Sequence, residues 1–259
     1  MSTEFTPFAS LGGGILIGIA SVLLMANFGR IMGATGILAG FLMPSGQADW
    51  GWRASLLAGM VSAPAFYWMF SGDVVVVQVP VSTTAMIIGG LIVGVGVTFG
   101  GGCTSGHGVC GIARFRMRFL ITYAIGLIFG MGIIFGGMAN PAKVLNFFDI
   151  TGTWDPSLAF VMGGALGVTA LGYRIVLRRP APRLAEVFHL PSLTRVDPKL
   201  IAGSAAFGIG WGLAGFCPGG ALPAIGTLDA NVLIFTGAMI AGIVGTKLFQ
   251  ARQHAGGHA

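Results

Sequence analysis

Long apolar stretches alternate with short polar connections along almost the whole chain. Stretches of about 18 to 22 mainly apolar residues can each cross a hydrocarbon core of roughly 30 Å as a helix. Seven of them lie near residues 9–28, 53–71, 84–102, 117–138, 157–178, 199–216 and 230–250. The pattern predicts an all-α polytopic membrane protein with about seven transmembrane helices. The first stretch follows Glu4 without a basic leader or an Ala-x-Ala cleavage site, so we expect it to be retained.

Composition supports a membrane location and changes the expected shape of the helices. Hydrophobic residues make up 54% of the chain and charged residues 8%, with a mean hydropathy of +0.86. So few charges cannot cover a soluble surface of this size. Because 45 glycines and 12 prolines exceed what straight spans require, we expect broken and closely packed helices.

The distribution of charge predicts an orientation. With seven spans, Lys143 alone lies on one side, and the other basic residues share the opposite side: Arg30, Arg53, Arg114, Arg116, Arg118, Arg174, Arg178, Arg179, Arg183, Arg195, Lys199, Lys247 and Arg252. The positive-inside rule then places the N-terminus outside and the C-terminus in the cytoplasm. The net charge of +6 therefore reports orientation and not a nucleic-acid partner. The basic segment 174–199 could dock an acidic cytoplasmic protein.

Two glycine-rich cysteine motifs interrupt the apolar pattern. One runs from Gly100 to Gly111 around Cys103 and Cys110, and the other is Gly-Phe-Cys-Pro-Gly-Gly at 215–220. The residues that follow, 104–114 and 218–228, are too short and too polar to cross a bilayer. Each motif therefore predicts a re-entrant loop with a short half-helix.

The residues after each cysteine predict a helix start. Pro218 suits the first turn of a helix, and Thr104 or Ser105 can cap the other half-helix. Both Cys103 and Cys217 would then lie at helix N-termini, where unpaired N–H groups and the helix dipole attract anions and favour thiolate character. Facing half-helices would form a narrow anion-selective constriction with one sulfur on each side.

The chain also contains a weak internal repeat. An offset of 114 that superimposes Cys103 on Cys217 matches Gly94 with Gly208, Gly96 with Gly210, Gly101 with Gly215 and Gly106 with Gly220. Ala26-Asn27 matches Ala139-Asn140 at an offset of 113. Chance matching is the alternative in so glycine-rich a chain. Because three spans separate the copies, the prediction is a single transmembrane domain, 1–259, with inverted halves at approximately 1–116 and 117–259, an architecture typical of transport proteins.

The two cysteine motifs resemble those of the YeeE/YedE family of bacterial inner-membrane sulfur transporters. The resemblance lies in Gly-Gly-Cys-Thr-Ser-Gly-His-Gly-Val-Cys-Gly-Ile-Ala-Arg at 101–114 and Gly-Phe-Cys-Pro-Gly at 215–219. The segments 137–144 and 154–160 resemble the second member of split, two-gene forms, so the chain looks like two halves joined. The resemblance implies an hourglass-shaped protein that takes up thiosulfate or a related reduced-sulfur anion. It also implies a cytoplasmic sulfur-carrier protein as partner.

The resemblance implies roles for individual residues. By position, Cys103 and Cys217 are the pore thiols, which pass the substrate inward by transient S–H···S hydrogen bonding, and Cys110 is the additional cysteine of the first motif. Longer family members carry a further cysteine nearer the N-terminus, whereas this chain has none before Cys103. The residues beside the thiols that are candidates for substrate contact are Gly102, Thr104, Ser105, His107 and Gly219.

Structural and functional alternatives remain for these residues. Cysteine often behaves as a small buried hydrophobe, His107 can be a satisfied buried histidine, and Thr104 and Ser105 can act only as caps. A membrane thiol oxidoreductase would pair Cys103 with Cys110, and a transporter of polysulfide, persulfide or a soft metal would also use thiols. The sequence shows no C-x-x-C motif, cofactor fingerprint or ligand-like histidine spacing. We therefore expect a transporter that is not an enzyme, with no cofactor and no metal.

Overall fold

A computed structural model describes residues 3–44, 47–99, 115–190 and 198–256 of the protein. Over these residues the structure is helical and contains no β-strand, which confirms the all-α prediction. The helices are α1 (Pro7–Phe28), α2 (Ala34–Leu42), α3 (Gln47–Ser71), α4 (Thr83–Phe99), α5 (Phe115–Phe135), α6 (Pro141–Phe148), α7 (Ser157–Val176), α8 (Pro198–Ala214), α9 (Pro218–Ala224) and α10 (Ala230–Gly256).

Each of the seven predicted spans coincides with a helix in the described part of the chain. Five helices, α1, α3, α5, α7 and α10, are long and apolar enough to cross a membrane. A sixth span is formed if Leu200–Ala214 and Pro218–Thr227, which are bent by 45°, act as one broken crossing. The remaining helix, α4, is apolar but shorter, with 17 residues. The protein is therefore a multi-pass helical membrane protein.

Two short helices, α2 and α6, were not predicted from the sequence. Each follows an Ala-Asn pair at the end of a glycine-rich span. The α6 helix begins at Pro141, and its cap residue Asn140 accepts a hydrogen bond from the Ala142 N–H at 3.1 Å. The α2 helix begins after Gly33, which cannot supply a side-chain cap. Both are too short to cross a bilayer. The α2 helix contacts α3, α9 and α10, and the α6 helix contacts α7 and α8.

The long helices form two packed groups. In the first, α1 packs against α7 and α5, and α5 packs against α3; in the second, α4 packs between α8 and α10. The short helix α9 touches α2, α3, α5 and α10, so it lies between the groups. Its seven residues, Pro218–Ala224, are all buried. This central position makes α9 and its cysteine the natural place to look for a functional site.

Glycine allows the closest helix contact in the first group. A Cβ at Gly59 would lie 2.1 Å from the Tyr123 carbonyl oxygen, and a Cβ at Gly126 would lie 2.0 Å from that of Leu56. Small residues at helix crossings let backbones approach within van der Waals distance, which drives association where no hydrophobic effect operates between helices in lipid. The glycine content therefore serves close packing at the crossing of α3 and α5, as the composition predicts.

The two ends of α1 lie in different polar environments. At its start, the Thr6 hydroxyl contacts the Lys143 ammonium. At its end, the segment after α7 crosses the helix, where the backbone N–H groups of Arg183 and Leu184 donate to the Ala26 and Asn27 carbonyls at 3.0 and 2.7 Å. The basic connection after α7 and the isolated Lys143 are thus at opposite ends of the same helix.

Candidate functional site

Cys217 lies at the junction between α8 and α9. Gly215 ends α8 with φ +71°, a left-handed conformation that favours glycine, and its N–H donates to the Trp211 carbonyl at 2.8 Å. Cys217 itself is extended, with φ −78° and ψ 140°, and Pro218 takes the first helical position of α9. The short helix predicted after Cys217 is therefore confirmed. It forms because the glycine that ends α8 and the proline that begins α9 follow each other within four residues.

The Cys217 thiol is free and half-buried. The backbone carbonyl of Cys217 accepts hydrogen bonds from the N–H groups of Gly220 and Ala221, both at 2.9 Å, and these bonds fix the first turn of α9. A Cβ at Gly219 would lie 3.8 Å from the Cys217 sulfur, so this glycine is directly beside the thiol. The backbone therefore holds the sulfur in place, while the missing side chain at position 219 leaves space next to it.

A cavity of about 440 Å³ opens onto this sulfur. We call it the Cys217 cavity; it is lined by residues from five helices and the α8–α9 junction, namely Ala34, Thr35, Gly96, Val97, Phe129, Gly203, Ser204, Phe207, Cys217, Pro218 and Gly219. The polar side chains among them are the hydroxyls of Thr35 and Ser204 and the thiol of Cys217. The rest of the lining is glycine, aliphatic and aromatic, and no residue of this set carries a charge.

The N-terminus of α2 is also at this cavity. A Cβ at Gly219 would lie 3.9 Å from the Ala34 side chain, so the first residue of α2 faces the start of α9. The first N–H groups of a helix have no intrahelical acceptor and carry the positive end of the helix dipole. Since the Gly33 cap offers no side-chain acceptor, the start of α2 can present its N–H groups to an anion.

A buried arginine holds α2 in position. The Arg53 guanidinium, 7% exposed, donates to the Gly36 carbonyl at 2.6 Å and stacks over the Trp52 ring at 4.8 Å. A Cβ at Gly40 would lie 2.3 Å from the same guanidinium, so a larger residue there would displace the arginine side chain from its present position. Arg53 appeared in the sequence only as an orientation charge; in the structure it also fixes the short helix that borders the cavity.

Sequence reasoning located part of the cavity lining and missed the rest. Cys217 and Gly219 line it, whereas Cys103, Cys110, Gly102, Thr104, Ser105 and His107 lie outside the described residues. The α2 residues Ala34 and Thr35 and the α8 residue Ser204 were not predicted. The Ala-Asn repeat that precedes both α2 and α6 was the available signal for a short helix at 34–42.

A smaller cavity lies beside the Cys217 cavity. A cavity of about 90 Å³ shares Thr35 and Val97 with it and extends to Lys247 and Gln250 on α10. Among the described residues, no group of three or more His, Cys, Asp or Glu side chains is placed to hold a metal ion. The arrangement offers an anion a thiol, two hydroxyls and a helix N-terminus inside an otherwise apolar space.

Comparison with known proteins assigns the chain to a family. Residues 117–256 match the model of a family of unknown function, DUF6691. The chain belongs to this family. A protein of Xylella fastidiosa strain Temecula1 named "Probable transporter" is 45% identical over 129 residues, which cover 49% of this chain and 87% of the relative.

Further relatives carry the same name. A second "Probable transporter" of strain Temecula1 is 38% identical over 119 residues, which cover 46% of this chain and 86% of that protein. A "Probable transporter" of strain 9a5c is 45% identical over 129 residues, which cover 49% of this chain and 88% of that protein. No solved structure matches. The chain is thus a multi-pass membrane protein whose relatives are named as transporters.

Proposed function

We propose that this protein is a transporter of the bacterial cytoplasmic membrane that takes up thiosulfate or a related reduced-sulfur anion. The observation that carries the proposal is the Cys217 cavity, in which a free thiol and the start of α2 meet in an uncharged lining. Backbone N–H groups and hydroxyls suit the oxygen atoms of such an anion. The polarizable Cys217 sulfur suits its terminal sulfur, a contact that sulfate cannot offer in return.

The position of the cavity supports transport rather than storage or catalysis. It lies among the long helices, at a junction where α8 and α9 bend by 45°. In membrane proteins, irregular backbone is tolerated where it is buried in protein or lines a cavity, and broken helices commonly form substrate sites. The smaller cavity beside it, which Lys247 borders, would extend the route toward one end of the molecule.

The helix packing supports the proposed division into inverted halves, 1–116 and 117–259. If α1, α2, α3 and α4 correspond to α5, α6, α7 and α8, the packed pair α1–α7 becomes the packed pair α5–α3. The pairs α1–α5 and α4–α8 map onto themselves under the same exchange. A twofold relation between the halves would place the first cysteine motif opposite α9, as the resemblance to the YeeE/YedE family implies.

The partner proposal rests on charge at one end of the molecule. Arg174, Arg178, Arg179 and Arg183 are exposed there, beside the segment that crosses the end of α1. We expect an acidic cytoplasmic sulfur-carrier protein to dock on this surface and receive the substrate. Charge complementarity of this kind raises the rate of association and depends on ionic strength.

The test is uptake of sulfur-35 thiosulfate into cells that lack their own sulfate and thiosulfate importers. We expect uptake with the parent protein and a loss of at least about tenfold with Cys217→Ala, which corresponds to about 1.4 kcal/mol of lost interaction. Cys103→Ala should show the same loss, while Ser62→Ala, a hydroxyl deletion on α3 away from the cavity lining, is the matched control. Membrane insertion is checked for each variant by the amount of protein in washed membranes.

Three outcomes would count against the proposal. Undiminished uptake by well-inserted Cys217→Ala would show that the thiol takes no part in transport. If the parent protein takes up labelled polysulfide but no thiosulfate, polysulfide would replace thiosulfate as the proposed substrate. A purified parent protein that cycles between thiol and disulfide with a quinone or thiol partner, and moves no anion, would establish the oxidoreductase alternative.

A further inference from the structure

A second large cavity lies at the end of the molecule where α1 begins. It has a volume of about 410 Å³, and we call it the Lys143 cavity. Its polar lining includes Glu4, Thr6, Tyr67, Gln78, Asn140 and Lys143. Unlike the Cys217 cavity, it contains an ammonium group, and that group belongs to the basic residue that the charge pattern separates from all others.

The Lys143 side chain is held at the cavity wall by its neighbours. Its ammonium donates to the Thr6 hydroxyl. Its stem lies against Gly137, where a Cβ would be 2.8 Å from the Lys143 Cδ and where the φ of +72° also favours glycine. Burial lowers the pKa of Lys143, and the nearby carboxylates of Asp155 and Glu4 partly offset this effect. The lysine is thus positioned in a half-buried site.

The two carboxylates near Lys143 differ in what else they bind. Asp155 is 2% exposed and accepts hydrogen bonds from the Thr3 hydroxyl at 2.8 Å and from the Ser157 N–H at 2.9 Å. Its charge is therefore already stabilised by the chain. Glu4 is exposed and lines the cavity itself. An anion that enters the cavity would compete with Glu4 for Lys143. Removal of Lys143 should therefore lower the affinity of the cavity for anions, and removal of the Glu4 charge should raise it.

Residues of α5 line both the Lys143 cavity and the Cys217 cavity. Phe129 lines the Cys217 cavity and Ile134 lines the Lys143 cavity, a separation of five residues or about 7.5 Å along the helix axis. The turn after α5 separates the two spaces. Gly137 and Ala139 of this turn line the Lys143 cavity, and the Met138 carbonyl between them would lie 2.4 Å from a Cβ at Gly220.

The internal repeat carries a second cation at the corresponding position. Ala26-Asn27 is followed by Arg30 as Ala139-Asn140 is followed by Lys143, with the same spacing. The two cations lie at opposite ends of α1, whose 22 residues span about 33 Å. Arg30 lies over the Trp52 ring at 5.0 Å. A basic residue therefore follows the same motif at each end of the bundle.

We propose that the Lys143 cavity is an anion-binding site that receives a small sulfur oxyanion at the outer face before the anion reaches Cys217. The ammonium of Lys143 pairs with the anion, and the Asn140 and Gln78 side chains and the Thr6 and Tyr67 hydroxyls are the surrounding polar groups. The site rests on the proposed transport function for its physiological ligand. Its ability to bind an anion is a separate property that can be measured without transport.

Equilibrium dialysis of purified protein in detergent with sulfur-35 thiosulfate at low ionic strength tests the site directly. We expect Lys143→Gln to weaken binding about fivefold, as fits one partly solvated charge-assisted contact, and Lys143→Arg to restore most of it. Glu4→Gln should strengthen binding about twofold because it removes the competing carboxylate. These changes should persist in Cys217→Ala, which separates this site from the Cys217 cavity. Arg252→Gln, which removes an exposed charge on α10, should have no effect.

The outcomes for the site and for transport are distinguishable. Equal binding by the parent protein and Lys143→Gln, or no binding by the parent protein, would overturn the anion site. If unlabelled sulfate competes as well as unlabelled thiosulfate, the site recognises the charge and shape of the anion. Discrimination between thiosulfate and sulfate would then take place at Cys217. In uptake, Lys143→Gln should raise KM about fivefold with little change in maximal rate. A parent protein that binds the anion but transports none would retain the site and remove the proposed function.

Discussion

The two large cavities have similar volumes, about 440 and 410 Å³, but opposite chemistry. The Cys217 cavity is lined by glycines, apolar side chains, two hydroxyls and a thiol. The Lys143 cavity is lined by amides, hydroxyls, a carboxylate and an ammonium. In the transport that we propose, one space would capture an anion by charge, and the other would admit it by contact with soft and neutral groups.

The positions of the cavities explain this difference physically. A charged side chain deep in a membrane protein requires a partner or water, because burial in a low dielectric is costly. Lys143 is half-buried near the start of α1, where solvent and Thr6 stabilise its charge. A fixed charge beside Cys217 would instead hold a divalent anion too tightly to release it, whereas N–H groups and hydroxyls bind and release it readily.

The largest expected effect is a difference in membrane topology. The Lys143 cavity and the basic connection after α7 should lie on opposite sides of the membrane. Val76 borders the Lys143 cavity and Val187 belongs to the basic connection, and their side chains are 61% and 60% exposed. A membrane-impermeant maleimide added to intact cells should label Val76→Cys fully and Val187→Cys only after permeabilisation. The parent protein with its native cysteines provides the background. Labelling of Val76→Cys only after permeabilisation would place the Lys143 cavity on the wrong side for capture, and labelling of both positions from one face would contradict the proposed topology.

A pair of adjacent glycines tests whether the space beside Cys217 itself matters. In Gly219→Ala the new methyl group would lie 3.8 Å from the Cys217 sulfur, an ordinary contact, so the free energy of unfolding should change by less than about 1 kcal/mol. The methyl group occupies the cavity next to the thiol, so thiosulfate uptake should fall several-fold. Thermal unfolding of the purified protein and uptake in cells measure the two effects.

The neighbouring variant Gly220→Ala provides the matched comparison. Its methyl group would lie 2.4 Å from the Met138 carbonyl, so backbone must shift and the fold should lose about 1–3 kcal/mol. Uptake should fall together with the amount of folded protein in the membrane. If Gly219→Ala keeps both stability and full uptake, the space beside the thiol is not on the transport route.

The smallest expected effect is a pH dependence of anion binding at the Lys143 cavity. Burial lowers the pKa of Lys143 even though Asp155 and Glu4 act against the shift. The ammonium therefore loses its proton at a lower pH than an ordinary lysine, and thiosulfate affinity should decline as the pH rises through that lowered value. Equilibrium dialysis at a series of alkaline pH values measures the decline.

Two variants identify the group responsible for that pH dependence. Lys143→Arg keeps its charge throughout the alkaline range, so its binding should be independent of pH there. Tyr67→Phe removes the phenol that lines the same cavity and should leave the decline in place. A decline that persists in Lys143→Arg would assign the effect to another group.

The sequence predicted the long helices well, because the length of an apolar stretch is enough to identify a membrane span. All seven apolar stretches are helices in the described chain, because a membrane span must satisfy its own backbone hydrogen bonds. The helix after Cys217 was predicted from Pro218, whose backbone preference is local. The short helix α2 was missed because nine residues of apolar sequence between two spans carry no length signal. The first cysteine motif, including Cys103, lies outside the described residues, so its predicted half-helix stays a prediction.

The sequence by itself determined a helical membrane protein with two cysteine motifs and a strong asymmetry of charge, since length, hydropathy and local backbone preference act over short distances. Only the tertiary structure decided which residues share a space. It brought Ala34 and Thr35 to the same cavity as Cys217, placed Lys143 in a cavity with Thr6, Gln78 and Asn140, and gave α5 a residue in the lining of each cavity. These contacts join residues far apart in the chain, and they depend on the close helix packing that glycine permits at many separate crossings.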